Sequence, residues 1–110
     1  MTLSKYQQLA ERTLTDNLRN SSVDRRIHAI CGLSSESGEV AGVWQKYLRG
    51  DYDYETARAK IKDELGDVLW YLTEACSAFD LDADDVAADN LDKLQSRQSR
   101  ETIRGSDRDE

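Results

Sequence analysis

Between Ile61 and Phe79 the apolar residues Ile61, Leu65, Val68, Leu69, Leu72, Cys76 and Phe79 recur three or four positions apart. That is the spacing of one face of an α-helix, and a stripe this long has to be packed against other elements. The 110 residues contain no Pro and only six Gly, while Ala, Leu, Glu, Asp, Arg and Lys dominate. Helices are therefore the expected partners rather than a sheet. A chain of this length makes one domain with a modest core.

The rest of the chain reads the same way. A short helix over residues 4–14 starts at Ser4 as cap, with Tyr6, Leu9, Ala10 and Thr13 on its inner side. The polar run from Asp16 to Ser22 reads as a connection. Asp24 caps a longer helix to about residue 48, with Ile27, Ile30, Cys31, Ser34, Ala41, Trp44 and Leu48 as its core stripe. Arg49-Gly50 is a stop signal. After a loop over 51–54, the central helix spans about 55–79 and breaks at Asp80-Leu81-Asp82. Asp82 is a cap candidate for a fourth helix over about 83–97, with Val86, Leu91 and Leu94 inward. Residues 98–110 read as a polar tail, leaving 1–97 as a single helical domain. The economical fold is all-α, a four-helix bundle whose core is completed by dimerisation, with Trp44 and Trp70 as interface aromatics or as ordinary core residues.

The formal charge of −7 argues against polymeric nucleic acid and anionic membranes as partners. A bound metal can still invert the field inside one cleft and admit an anionic nucleotide. No apolar run reaches the roughly 20 residues that cross a bilayer. The first residues lack a signal peptide's basic and apolar regions, so the cytoplasm is the expected location. Cys31 and Cys76 show no ligand spacing and read as buried thiols.

Acidic residues three apart share a helix face. The sequence has five such pairs, Glu36/Glu39, Glu64/Asp67, Asp82/Asp85, Asp89/Asp92 and Asp107/Glu110, against roughly four expected by chance at this composition. Position carries the signal more than spacing does. Only the first two pairs have apolar residues on both sides within the longest helices. Should they face each other, their mutual repulsion offsets a good part of a small domain's stability of about 5–15 kcal/mol, unless protons or cations fill the site. All-oxygen ligation suits Mg²⁺, Mn²⁺ or Ca²⁺ and does not suit zinc. The alternative is that the pairs splay apart and are bridged by Arg26, Lys46, Arg58 or Lys60. On the fourth helix Asn90, Lys93 and Arg97 stand at helical spacing, either as cations for the outer phosphates of a nucleotide or as a solvated face.

Glu36-Ser37-Gly38-Glu39 followed by Glu64-Leu65-Gly66-Asp67-Val68-Leu69-Trp70-Tyr71 resembles the ExxE…ExxD signature of MazG-like all-α nucleoside triphosphate pyrophosphohydrolases. Asn90-Leu91-Asp92-Lys93-Leu94, with Arg97 beyond it, is similar to that family's NxxKL…R segment. Tyr6 to Thr13 looks like the opening helix of its small members. The likeness spans about residues 6–97. It implies a helical bundle assembled as a homodimer or a dimer of dimers. It also implies Mg²⁺-dependent, or Mn²⁺-dependent, hydrolysis of (d)NTPs to the monophosphate and pyrophosphate. By the same resemblance Glu36, Glu39, Glu64 and Asp67 are metal ligands at the catalytic centre, while Asn90, Lys93 and Arg97 contact the nucleotide. Many members carry EExxE where this chain has Ser35 ahead of Glu36, which leaves the general base open. Two other readings remain at this point. One is a non-catalytic nucleotide or metal sensor, consistent with Ser35; the other is a helical interaction module. A di-iron bundle is disfavoured because no ExxH pair is present.

Overall fold

In the computed structural model, which describes residues 1–104, the helices are α1 (Leu3–Glu11), α2 (Asp16–Arg19), α3 (Ser22–Leu48), α4 (Tyr54–Ala78) and α5 (Ala83–Arg104). No strand occurs among the described residues, so the fold is all-α as expected. Helices α3 and α4 form a long antiparallel hairpin that is the body of the domain. Helix α1 lies on α4 and also meets α5, and α2 sits against α3.

Local chemistry sets each boundary. Thr2, not Ser4, caps α1 by accepting from the Lys5 N–H, and Ser21, not Asp24, caps α3 by accepting from Asp24 N–H at 3.3 Å. In both cases the serine or aspartate one turn inside is already helical. Asp53 caps α4 through the Thr56 N–H at 2.7 Å, and Asp82 starts α5 through the Asp84 N–H at 2.8 Å. Helices α3 and α4 stop in the same way. Gly50, at φ 90°, and Asp80, at φ 56°, take the left-handed conformation. The N–H groups of Gly50 and Asp51 reach back to the Tyr47 and Lys46 carbonyls, and those of Asp80 and Leu81 to Ser77 and Cys76. These are paired 5→2 and 6→1 closures of the final turn.

Several expectations are corrected. The run from Asp16 to Ser22 contains the short helix α2, and Leu14 just before it is 5 % exposed, one of the best-buried apolar side chains. Helix α5 continues to Arg104, past residue 97, because nothing in Gln98–Arg104 breaks it; residues 105–110 of the expected tail lie outside the described residues. The largest correction concerns the face of α3. Ile27, Ile30, Cys31, Ser34, Ala41, Trp44 and Leu48 are exposed, with Leu48 at 69 %. The side packed on α4 is the one with Ala29, Gly32, Leu33, Glu36, Val40 and Val43. The helix carries two apolar faces, and periodicity alone does not say which one meets α4. Val86, Leu91 and Leu94 of α5 are likewise exposed, as are Leu9, Leu65 and Phe79 of the other expected inner faces. Cys76 is buried as expected and Cys31 is not.

The core that remains is thin. Apart from Leu14 its fully buried apolar residues are small ones, Ala29, Ala57, Cys76, Ala78 and Ala83. The radius of gyration is 17.5 Å, where a compact chain of this length has about 13 Å. One ion-pair network ties the hairpin to α1. The Arg25 guanidinium donates to both carboxylate oxygens of Glu74 at 2.8 Å and to Glu11 at 2.7 Å. Glu74 is 3 % exposed.

Candidate metal centre

Because α3 and α4 run antiparallel, Glu36 and Glu39 on one helix come level with Glu64 and Asp67 on the other. One carboxylate oxygen from each of Glu36, Glu64 and Asp67 lies within 4.8 Å of the other two. Glu36 and Glu64 are half-buried and Asp67 is exposed. Glu39 stands outside this tightest group, exposed, yet near enough to act on Glu64. The Glu64 carboxyl is pushed above the ordinary carboxylate range by desolvation first, then by a hydrogen bond with Glu36 and by repulsion from Glu36, Glu39 and Asp67. That is the response of an acid among acids.

The bridging alternative does not occur. Among the described residues no ion pair joins Arg26, Lys46, Arg58 or Lys60 to any of the four acids. Arg26 instead lies over the Phe79 ring and donates to the Ala78 carbonyl, and Lys60 lies over the Tyr52 ring. A set of three or four oxygen donors with no internal cation fits a hard divalent ion such as Mg²⁺ or Mn²⁺.

Two cavities flank the acids along the hairpin axis. Towards the α3–α4 loop, a cavity of about 360 Å³ is lined by Glu39 and Glu64 at one end, by Asp63 beside them, and by Lys46, Lys60 and Tyr52 further out. On the opposite side, a cavity of about 390 Å³ is bounded by Glu36, Asp67, Trp70 and Tyr71. The two aromatic rings there meet edge to face, with centroids 4.9 Å apart, and the Trp70 indole N–H donates to Thr13 Oγ1 at 2.8 Å. Gly32 makes room for this arrangement, since a Cβ at residue 32 would overlap the Tyr71 ring.

Asn90 and Lys93 are exposed on α5, which packs on α1 rather than along the hairpin, and neither lines either cavity. Arg97 is half-buried further along the same helix. Within one protomer, then, the structure gathers the acids but does not bring the α5 residues to them.

The family model of the MazG nucleotide pyrophosphohydrolase domain matches residues 27–101, from the first turns of α3 nearly to the end of α5. The chain belongs to the MazG nucleotide pyrophosphohydrolase family. A similar protein is the Gene 37 protein of Mycobacterium phage L5, 37 % identical over 87 residues that make up 77 % of this chain and 76 % of that one. No solved structure matches the chain. All seven residues singled out from the sequence fall inside the MazG match. No described helix is long and apolar enough to cross a membrane.

What the sequence reading did not see in this MazG domain is that Lys46 and Lys60 on one side, and Trp70 and Tyr71 on the other, line cavities next to the acids. The signal was available. Lys46 lies seven residues after Glu39, two turns along the same face, and Lys60 lies four before Glu64, one turn back. On the other side Trp70 and Tyr71 follow Asp67 by three and four.

Proposed function

We propose that this MazG-family chain is a Mg²⁺-dependent nucleoside triphosphate pyrophosphohydrolase that converts (d)NTPs to the monophosphate and pyrophosphate by attack of water at the α-phosphorus. The observation that carries the reading is the meeting of Glu36, Glu64 and Asp67 across two helices, with no ion pair from a described lysine or arginine to any of them. Glu36, Glu39, Glu64 and Asp67 would hold the metal, Mg²⁺ or Mn²⁺. When bound, such an ion offsets phosphate charge and makes water more acidic. The carboxylates would fix the ion, and through it the phosphate chain would be positioned in the cleft, so that most of the acceleration would be positioning and electrostatics, as is general for phosphoryl transfer. With Ser35 ahead of Glu36, the proton lost by the attacking water goes to one of the four acids.

The reading includes a second copy of the chain. Ile27, Ile30, Trp44 and Leu48 on α3 and Leu91 and Leu94 on α5 are apolar and exposed around a core made of small residues, more than a stable monomer leaves open. A homodimer, or a dimer of dimers, would cover them. It would also allow Asn90, Lys93 and Arg97 of the partner subunit to approach the acids that α5 of the same chain does not reach. The cytoplasm, where nucleoside triphosphates are made and used, is the compartment that goes with this activity.

The test is pyrophosphate release from a panel of dNTPs and NTPs with and without Mg²⁺. Metal-dependent release of monophosphate and pyrophosphate is the expected result. No turnover, together with Mg²⁺-dependent thermal stabilisation by a nucleotide, would replace the enzyme by a sensor, the reading Ser35 favours.

A further inference from the structure

The surroundings of the acid cleft are polar in direction. One side carries two ammonium groups, with Asp63 a further carboxylate on its wall, the other side carries two aromatic rings, and Glu36, Glu39, Glu64 and Asp67 lie between. A nucleoside triphosphate has the same asymmetry, with a flat apolar base at one end, the scissile α-phosphate between, and most of its negative charge at the other. We propose that Lys46 and Lys60 form a leaving-group pocket that receives the β- and γ-phosphates and holds the pyrophosphate product. The inference rests on the pyrophosphohydrolase reading and adds a direction of binding and two substrate-contacting residues.

Three observations support it. The cavity of about 360 Å³ has Glu39, Glu64 and both lysines in its wall, so phosphates anchored at the acids would lie in the same space as the two ammonium groups. Neither lysine is engaged in an ion pair with a described residue. Lys60 is held against the face of Tyr52, its Nζ 5.1 Å from the ring centroid, which keeps the ammonium at the rim of the cavity without neutralising it. Ammonium groups act as mobile point charges and suit a terminal phosphate whose geometry changes during departure.

In the reaction the water oxygen bonds to the α-phosphorus while the bond from that phosphorus to the α,β-bridging oxygen breaks. The electron pair of the broken bond stays on the pyrophosphate, and a water proton passes to a carboxylate of the cleft. The charge that develops on the leaving group therefore appears on the lysine side. There the two ammonium groups stabilise it more as the bond lengthens than before.

The experiment titrates inorganic pyrophosphate, and separately a set of deoxynucleoside monophosphates, into the wild-type chain and into Lys46→Met and Lys60→Met, all with Mg²⁺, alongside steady-state turnover. Each substitution should weaken pyrophosphate binding by about tenfold or more, as expected for a lost charge-assisted hydrogen bond, and leave monophosphate binding within about twofold. Lys46→Arg and Lys60→Arg should keep most of the pyrophosphate affinity. Both lysines are exposed, and helical circular dichroism checks that the variants fold. Unchanged pyrophosphate affinity in both Met variants, with an active wild type, overturns the pocket and leaves the enzyme reading intact. An equal loss for monophosphate and pyrophosphate also overturns it, since the lysines would then serve the whole cleft. A wild type that neither binds pyrophosphate nor releases it removes the enzyme reading and the pocket together.

Discussion

The α3–α4 hairpin carries two groups of carboxylates, and they are built in opposite ways. Near the α1 end, Glu74 is almost fully buried, but the Arg25 guanidinium meets both its oxygens and also reaches Glu11. Towards the middle, Glu36, Glu64 and Asp67 are half-buried to exposed, yet they meet one another with no cation. The deeper acid is the satisfied one. Burial therefore does not mark the candidate site in this protein; the acids proposed to bind metal are the shallower group. A buried carboxylate with a bidentate arginine holds helices together, whereas a shallower group of carboxylates with none calls for a cation from outside.

The comparison can be broken at either end. The largest effect is expected from Arg25→Ala, which strands Glu74 in the interior. Urea denaturation should show a loss of about 3–5 kcal/mol, and the chain that still folds should keep its Mg²⁺ response. A loss of turnover without a loss of stability would put Arg25 in the site instead. Next comes Glu64→Gln, with Glu39→Gln beside it. Turnover should fall on the order of 10²–10³-fold, the scale of losing one preorganised electrostatic group, while the metal-free protein stays folded and at least as stable as the parent. Near-normal activity in both would end the assignment of these acids.

A smaller and sharper test uses pH in the absence of metal. The Glu64 carboxyl is raised, chiefly by desolvation and by Glu36. Its contribution to stability is therefore complete below the ordinary carboxylate range and is lost as pH rises through the raised value. Asp82 is lowered, by the Ser4 hydroxyl first and then by the Asp84 N–H, so its contribution has the opposite sign, present above the ordinary range and lost as pH falls. The stability difference between wild type and Glu64→Gln should accordingly move against the wild type with rising pH, and excess Mg²⁺ should cancel that trend. The smallest effect is expected at the end of α4. Asp80→Gly relieves a left-handed side-chain residue and should raise stability by about 0.5–1 kcal/mol.

Much of this was legible in the residues. The stop at Arg49-Gly50, the cap at Asp82, the buried Cys76 and the choice of two acid pairs out of five all follow from local spacing and local chemistry. The pairing of Arg25 with Glu74 was not, because the two lie 49 positions apart and only the packing of α3 on α4 brings them together. Nor was the packed face of α3. Ile27, Trp44 and Leu48 make as good a stripe as Ala29, Leu33 and Val40, and what sets the packed face apart is Gly32, where the Tyr71 ring of α4 occupies the place of a Cβ. The lysines of the outer cavity were visible only as charges. Their register with Glu39 and Glu64 acquires meaning once the hairpin sets both helices side by side.

The clasp at the other end of the molecule has a consequence for how the chain reaches its fold. The Gln7 side-chain amide N–H groups donate to Ser77 Oγ and to the Leu81 carbonyl, and its Oε1 accepts from the Ala83 N–H, while Ser4 bonds to Asp82; these contacts join residues 70 to 78 positions apart. The α3–α4 hairpin needs only a short loop. Closure entropy grows with loop length, so the hairpin forms first and α1 docks late. Helix α1 is synthesised before every group it will bind and waits for the start of α5. Gln7→Ala should therefore speed unfolding while leaving the refolding rate almost unchanged. Slower refolding of that variant would put α1 in the folding nucleus instead.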